Sequence, residues 1–295
     1  MGSSIALVGP GAIGSTVAAL LHAAGHQVTL CGHTPRDQIE VRPDDEDAIV
    51  VPGPVLTDPA DVGGVVDVVL LAVKDTHNEA AAGWLQTLCD GHTVVCVLQN
   101  GVEQVERVGK FSPSAHIVPA VVWFSAETQP GGWVRLRTGV RLVLPDGDDA
   151  ETLAAVLRPA GMTVELDPDF RTEAWRKLLV NALAGFMVLA RRRSGMFRRD
   201  DVAALARRYV AECLAVARAE GAALPDSVID EMLGIFVAAP EDLTTSMLTD
   251  AEAHRRLEWD IRNGVIARKA AEHGLATPIS DVLVPLLAAA SDGPG

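Results

Sequence analysis

Basic charge is scarce in this chain: 25 Lys and Arg stand against 39 Asp and Glu, leaving a net charge of -14 over 295 residues. Such a field repels nucleic acid phosphates and anionic lipid, and no Lys/Arg tract is long enough to overturn it. Arg191, Arg192 and Arg193 read as a solvated helix end. Long hydrophobic runs are missing too. The most apolar stretch, Leu178 to Ala190, falls short of the ~20 residues a bilayer requires and is bounded by Lys177 and Arg191, so it reads as a buried helix. Cysteine is sparse: Cys31, Cys89, Cys96 and Cys213 form no CxxC pair, and none lies beside a histidine at metal-ligand spacing. They read as small core residues, and no metal site is expected. No basic N-terminal stretch leads into an apolar core, so the expectation is a cytoplasmic protein that engages neither nucleic acid nor membrane.

What the chain has is an ordinary globular balance, 48% hydrophobic and 22% charged, at a length that suits two domains. The first part alternates strand-like and helix-like runs, as βαβ units on a parallel sheet do. Ile5 to Val8 reads as a strand, Ser15 to Ala24 as its helix and Gln27 to Cys31 as the next strand. Val65 to Val73 and Thr93 to Leu98 are valine-rich and continuous, which suits central strands buried on both faces. His116 to Trp123 reads as a further strand, and Trp133 to Arg137 with Val140 to Leu144 as an edge hairpin entered through Gly131 and Gly132. After about Asp167 the spacing becomes helical throughout, and Ser291 to Gly295 reads as a disordered tail. The expected fold class is α/β: a Rossmann-type dinucleotide-binding domain over residues 1–167, followed by an all-helical domain over residues 168–295.

Gly9, Gly11 and Gly14 form GxGxxG directly after a strand and at the start of a helix. In that context the glycines allow a tight turn and close backbone approach, leaving the helix N-terminus to hold a pyrophosphate. An NAD-preferring site usually carries Asp or Glu at the end of the second strand. Here Leu30, Cys31, Gly32, His33 and Thr34 supply none, and Arg36 follows closely, so NADP(H) is the expected cofactor, with a solvated surface Arg36 as the plainer alternative. Lys74 and Asn100 end apolar runs at the sheet edge where ligands bind, and either face the ligand or solvate strand ends.

Lys177 opens the apolar helix, with Asn181 one turn further along the same face. A lysine beside a buried surface can be tuned toward neutrality and give a proton to a carbonyl oxygen; the plainer reading is a snorkelling helix-end lysine. Glu258 lies between Leu257 and Trp259 and either orients a lysine or a substrate hydroxyl, or pairs with Arg255 or Arg262.

Together these residues resemble the ketopantoate reductase (2-dehydropantoate 2-reductase) family over nearly the whole chain. The matching pieces are ValGlyProGlyAlaIleGly from Val8 (Gly9, Pro10, Gly11, Ala12, Ile13, Gly14), AlaValLys ending at Lys74 and GlnAsnGlyVal from Gln99. In the helical part they are TrpArgLysLeuLeuValAsn from Trp175, SerMetLeuThrAsp from Ser246 and LeuGluTrpAspIleArgAsnGly from Leu257. The resemblance implies that Lys177 is the general acid and that Glu258 positions the substrate and the lysine. It also implies cofactor contacts from Lys74 and Asn100, with Asn100, Asn181 and Ser246 on a small 2-oxo acid. It implies reduction of 2-dehydropantoate to pantoate, a step toward pantothenate and coenzyme A, and the apolar helix leaves room for a homodimer. Gly185 departs from the family, which usually carries a second asparagine there, as do the PheMetValLeu segment from Phe186 and His33, where the family often has an arginine. These departures bear on which acid is reduced, so the alternatives are reduction of another 2-oxo acid or ketone, and a dinucleotide-sensing protein without turnover.

Overall fold

The chain opens with β1 (Ile5–Val8), α1 (Ala12–Ala23) and β2 (Val28–Cys31). An antiparallel pair follows, β3 (Gln38–Pro43) with β4 (Ile49–Pro52). Then β5 (Val68–Leu71), α2 (Asn78–Leu88), β6 (Val94–Val97), α3 (Gln104–Gly109) and β7 (His116–Pro119) resume the alternation. Strands β2, β1, β5, β6 and β7 lie side by side in that order, every pairing parallel. All residues of β1, β5 and β6 are buried, because successive side chains point to opposite faces and serve two cores. Ile5, Leu7, Val68 and Leu70 pack with Val17 and Leu21 of α1; Ala6, Val8, Val69 and Leu71 pack with Trp84, Leu85 and Leu88 of α2. The chain leaves β1 for β2 on one side and returns to β5 on the other, so the carboxyl ends of β1 and β5 flank a topological switch point, where open α/β sheets bind ligands. The structure is a computed structural model that describes residues 3–293.

β8 (Val121–Trp123), β9 (Ala126–Thr128), β10 (Val134–Leu136), β11 (Arg141–Pro145), α4 (Asp148–Leu157) and β12 (Thr163–Asp167) complete the first compact unit, which ends at Phe170. Two expectations are corrected here. The run His116 to Trp123 is two strands: after Ala120 the chain passes from β7 into β8 of a separate sheet, antiparallel to β11, with β12 parallel beyond it. An apolar run reads the same whichever sheet it joins, so the change of partner leaves no pattern. The expected edge hairpin also divides. β10 pairs antiparallel with β9 and parallel with β3, whereas β11 belongs to the other sheet. The hairpin that does form is closed by Gly131 and Gly132, with the Gln129 amide donating to the Trp133 carbonyl at 2.8 Å; its first strand is too short and polar to stand out.

The second unit, from Arg171, is helical. It holds α5 (Phe170–Ala190), α6 (Asp200–Ala219), α7 (Val228–Ala238) and α8 (Ser246–Glu252), then a π-helical turn at Asp260–Gly264, α9 (Val265–His273) and α10 (Ser280–Asp292). In α5, Trp175, Leu179, Leu183 and Met187 recur every fourth residue and are all buried, a ridge of the kind that packs into neighbouring helices. Because α5 begins at Phe170, Lys177 lies about two turns inside it. It does not open the helix, and the helix-end reading no longer applies. Glu212 on α6 accepts from the amides of Ile279 and Ser280, each at 2.9 Å, satisfying N–H groups that the start of α10 leaves over. Ser291 and Asp292 are helical, not disordered, and the Ser291 hydroxyl accepts from the Leu257 amide at 3.0 Å; residues 294 and 295 lie outside the described residues. Among the described residues no helix is long and apolar enough to cross a membrane.

Candidate active site

β1 delivers the chain to Gly9, whose φ of +99° suits glycine. A Cβ there would stand 2.7 Å from the Val73 amide nitrogen, and a Cβ on Gly14 would strike the Gly9 carbonyl oxygen and come within 2.9 Å of the Ala72 Cβ. The turn after β1 and the exit of β5 can approach this closely only because both residues lack a side chain. Gly11 precedes α1 and places no side-chain acceptor on its first-turn amides, so these N–H groups and the positive end of the helix remain for an anion. Ala12 and Ile13 seat that first turn against the core. This cradle fits the pyrophosphate of a dinucleotide.

At the end of β2 the chain offers cations and hydroxyls in place of the carboxylate that would bind a ribose diol. Arg36 donates to the Pro10 carbonyl at 3.4 Å, which brings its guanidinium against the glycine loop. His33 is exposed, with Thr34 Oγ1 2.8 Å from its Nδ1. A ribose 2′-phosphate matches this set better than a free diol. Lys74 and Asn100, both half-buried, follow β5 and β6, and an amide network fixes their surroundings. Gln99 Nε2 donates to the Val73 carbonyl at 2.9 Å and to Asn78 Oδ1 at 2.7 Å. Gln104 Nε2 donates to the carbonyls of Gln99 and Gly101 at 3.2 and 2.8 Å. Sequence reasoning gave Gln99 no role of its own, although it stood in the GlnAsnGlyVal motif, and nothing marked Asn78 or Gln104.

The second unit gathers a different kind of site, made of charged side chains. Lys177 and Asn181 lie one turn apart on α5, both half-buried. Burial, reinforced by the nearby Arg262 charge and opposed by Glu173, pushes the Lys177 pKa down to about 8. Glu258 is 5% exposed and Arg262 3%. One guanidinium nitrogen, Nη2, donates to Glu258 Oε2 at 2.8 Å and to Ser246 Oγ at 3.1 Å. Of the two arginines within helical reach of Glu258, Arg262 is therefore its partner, while Arg255 turns to Asp250 at 2.9 Å. Arg262 occupies the π-helical turn, a local widening often found at functional sites. Lys177, Ser246 and Glu258 thus converge on one arginine; Asn100 stands with the cofactor residues of the first unit.

Gly185 is buried in α5, and a Cβ on it would meet Asn263 Nδ2 at 3.0 Å. The Asn263 amide donates to the Ala182 carbonyl and the Tyr209 hydroxyl, each at 2.9 Å. The space that an asparagine at 185 would enter is here partly held by Asn263 from the π-helical turn and by Leu287.

A parallel sheet with a glycine cradle at its switch point, carried on one chain with a lysine tuned toward neutrality, defines a dinucleotide-dependent oxidoreductase. The family pattern described as Ketopantoate reductase PanE/ApbA matches residues 5–149, and its C-terminal counterpart matches residues 169–291. The chain belongs to the ketopantoate reductase family. It is 70% identical to a 2-dehydropantoate 2-reductase of Mycobacterium tuberculosis over 295 residues, the full length of both. Among solved structures it is similar to a dimeric ketopantoate reductase from Staphylococcus aureus, with a TM-score of 0.90 and 26% identity over 99% of this chain and 100% of that one. It is also similar to a D-mandelate dehydrogenase solved with NADH and anilino(oxo)acetate, with a TM-score of 0.87 and 25% identity over 98% of each chain.

Proposed function

We propose that this protein is a cytoplasmic, homodimeric NADPH-dependent reductase that converts 2-dehydropantoate to pantoate, feeding pantothenate and coenzyme A synthesis. The observation that carries the reading is Lys177, a lysine held near pH 8 beside a buried Glu258–Arg262 pair. At neutral pH such a group is mostly protonated yet gives its proton up readily, the balance general acid catalysis needs. Bound NADPH supplies the hydride for the keto carbon. The chain does the rest. Gly9, Pro10, Gly11, Ala12, Ile13 and Gly14 hold the pyrophosphate, Arg36 and His33 the 2′-phosphate, and Lys74 and Asn100 the rest of the cofactor's reactive half. Asn181 and Ser246 hold the 2-oxo acid, Glu258 orients it and the lysine, and Lys177 protonates the carbonyl oxygen as the alcohol forms.

The test is NADPH oxidation by purified protein with 2-dehydropantoate, run beside NADH and a Lys177→Ala control. Turnover that needs both NADPH and Lys177 is the expected result; cofactor binding without turnover of this acid rejects the substrate. The D-mandelate dehydrogenase neighbour and the apolar Phe186 to Leu189 segment favour a second reading, another 2-oxo acid, which a substrate panel separates by kcat/KM. A dinucleotide sensor would bind NADPH and consume none with any carbonyl. The dimer is supported by the dimeric S. aureus relative, and light scattering that returns a monomer at assay concentration removes it.

A further inference from the structure

Arg262 is the most buried charged side chain of the helical site, and the assigned catalytic and substrate roles leave it without one. Its Nη2 lies between two acceptors of different kinds, the Glu258 carboxylate and the Ser246 hydroxyl, and its Nε is buried without a hydrogen-bond partner among the described residues. Ser246 is exposed. A hydroxyl that accepts from a guanidinium keeps its own proton for donation, and the cation polarises that O–H and strengthens it as a donor. On a 2-oxo acid the strongest acceptor such a donor can meet is the carboxylate.

A neutral ketone or ester gains little from a hydroxyl polarised by a cation, whereas a carboxylate gains a charge-assisted contact. We propose that Arg262 is a positioning residue that reads the carboxylate of the substrate through Ser246, and so sets the enzyme's preference for a 2-oxo acid over the corresponding neutral ketone or ester. The proposal rests on the reductase reading above and deepens it.

The test compares the wild type with Arg262→Gln and Arg262→Lys, using 2-dehydropantoate and the neutral lactone formed when its hydroxyl closes on the carboxyl group. Calorimetric binding of pantoate and its lactone runs in parallel as a readout that needs no turnover. Wild type should favour the acid. Arg262→Gln should raise KM for the acid by about tenfold or more with little change for the lactone, so that the ratio collapses, as loss of one charge-assisted contact predicts. Arg262→Lys keeps the charge but not the fork and should recover part of the ratio. Equal losses for acid and lactone in Arg262→Gln overturn the inference and leave Arg262 a structural partner of Glu258, as does a wild type with no preference for the acid. If wild type fails to reduce 2-dehydropantoate yet binds pantoate over its lactone in an Arg262-dependent way, the substrate reading fails and the inference stands.

Discussion

The two units build their sites from different materials. In the first, the binding surface is backbone: glycines without side chains, the uncapped amides of α1 and the strand exits of β1 and β5. In the second it is side chain: Lys177, Glu258, Arg262 and Ser246, each meaningful only through its neighbours. A backbone site is broken by adding an atom, and a side-chain site by removing one. The first kind leaves a signature in the sequence because only glycine fits, while the second leaves scattered polar residues that acquire meaning when helices bring them together.

The largest expected effect falls on the side-chain site. Lys177→Ala should lower kcat by about 10²–10⁴-fold, the usual worth of a general acid, while NADPH affinity measured by fluorescence titration stays at the wild-type value. A parallel loss of NADPH binding would show that the two materials are not separable. The opposite experiment is Gly14→Ala, which drives a methyl into the Gly9 carbonyl. Overpacking of this kind costs about 1–3 kcal/mol, visible as a lower Tm and weaker NADPH binding. Lys177 should keep its titration behaviour in that variant, read from the pH dependence of whatever turnover remains.

That titration sharpens the comparison further. With Lys177 near 8, kcat/KM should fall as pH rises through that value, because the proton donor is lost. Arg262→Gln removes a cation that holds the Lys177 pKa down, so the falling limb should move to higher pH. A limb that stays in place or moves down separates Arg262 from the lysine. In the backbone site the side chains contribute less: Arg36→Ala should reduce the NADPH-over-NADH preference by about tenfold, one charge-assisted contact to phosphate, with kcat unchanged.

The smallest effect concerns stability. A lysine whose proton affinity is depressed in the fold opposes folding while charged. The penalty is complete below about pH 8 and is relieved as pH climbs toward the unstrained 10.5. Lys177→Met should therefore raise the Tm at neutral pH by about 2–4 °C, the shift expected from roughly 1 kcal/mol. An unchanged or lower Tm would mean that the charge is better compensated than its surroundings indicate.

Legibility followed the same divide. The sheet's central strands stood out as valine-rich apolar runs, interrupted only by Asp67 just ahead of β5, and the glycine motif followed directly on the first of them. Strands β3 and β9 did not, since Gln38–Pro43 and Ala126–Thr128 are short and mixed, and β3 pairs with β10 far along the chain, where no local pattern reaches. In the helical unit Lys177, Glu258, Asn181 and Ser246 came from family resemblance more than from spacing. Arg262 entered as one of two possible partners for Glu258 and, without a role, inside the LeuGluTrpAspIleArgAsnGly piece, because a π-helical turn has no residue signature and alters which side chains face inward. Gly185 looked like a missing donor. Only packing showed its room to be occupied.

That packing makes positions 185 and 263 reciprocal. An asparagine introduced at 185 crowds the amide already there, and a glycine introduced at 263 takes one hydrogen bond from the Tyr209 hydroxyl, leaving it with Cys213, and opens a hole. Exchanging the two together moves one amide from the π-helical turn to α5 and leaves the volume nearly constant. Each single exchange should lower the Tm and the double exchange should recover part of the loss, so the two positions should change together and not one at a time.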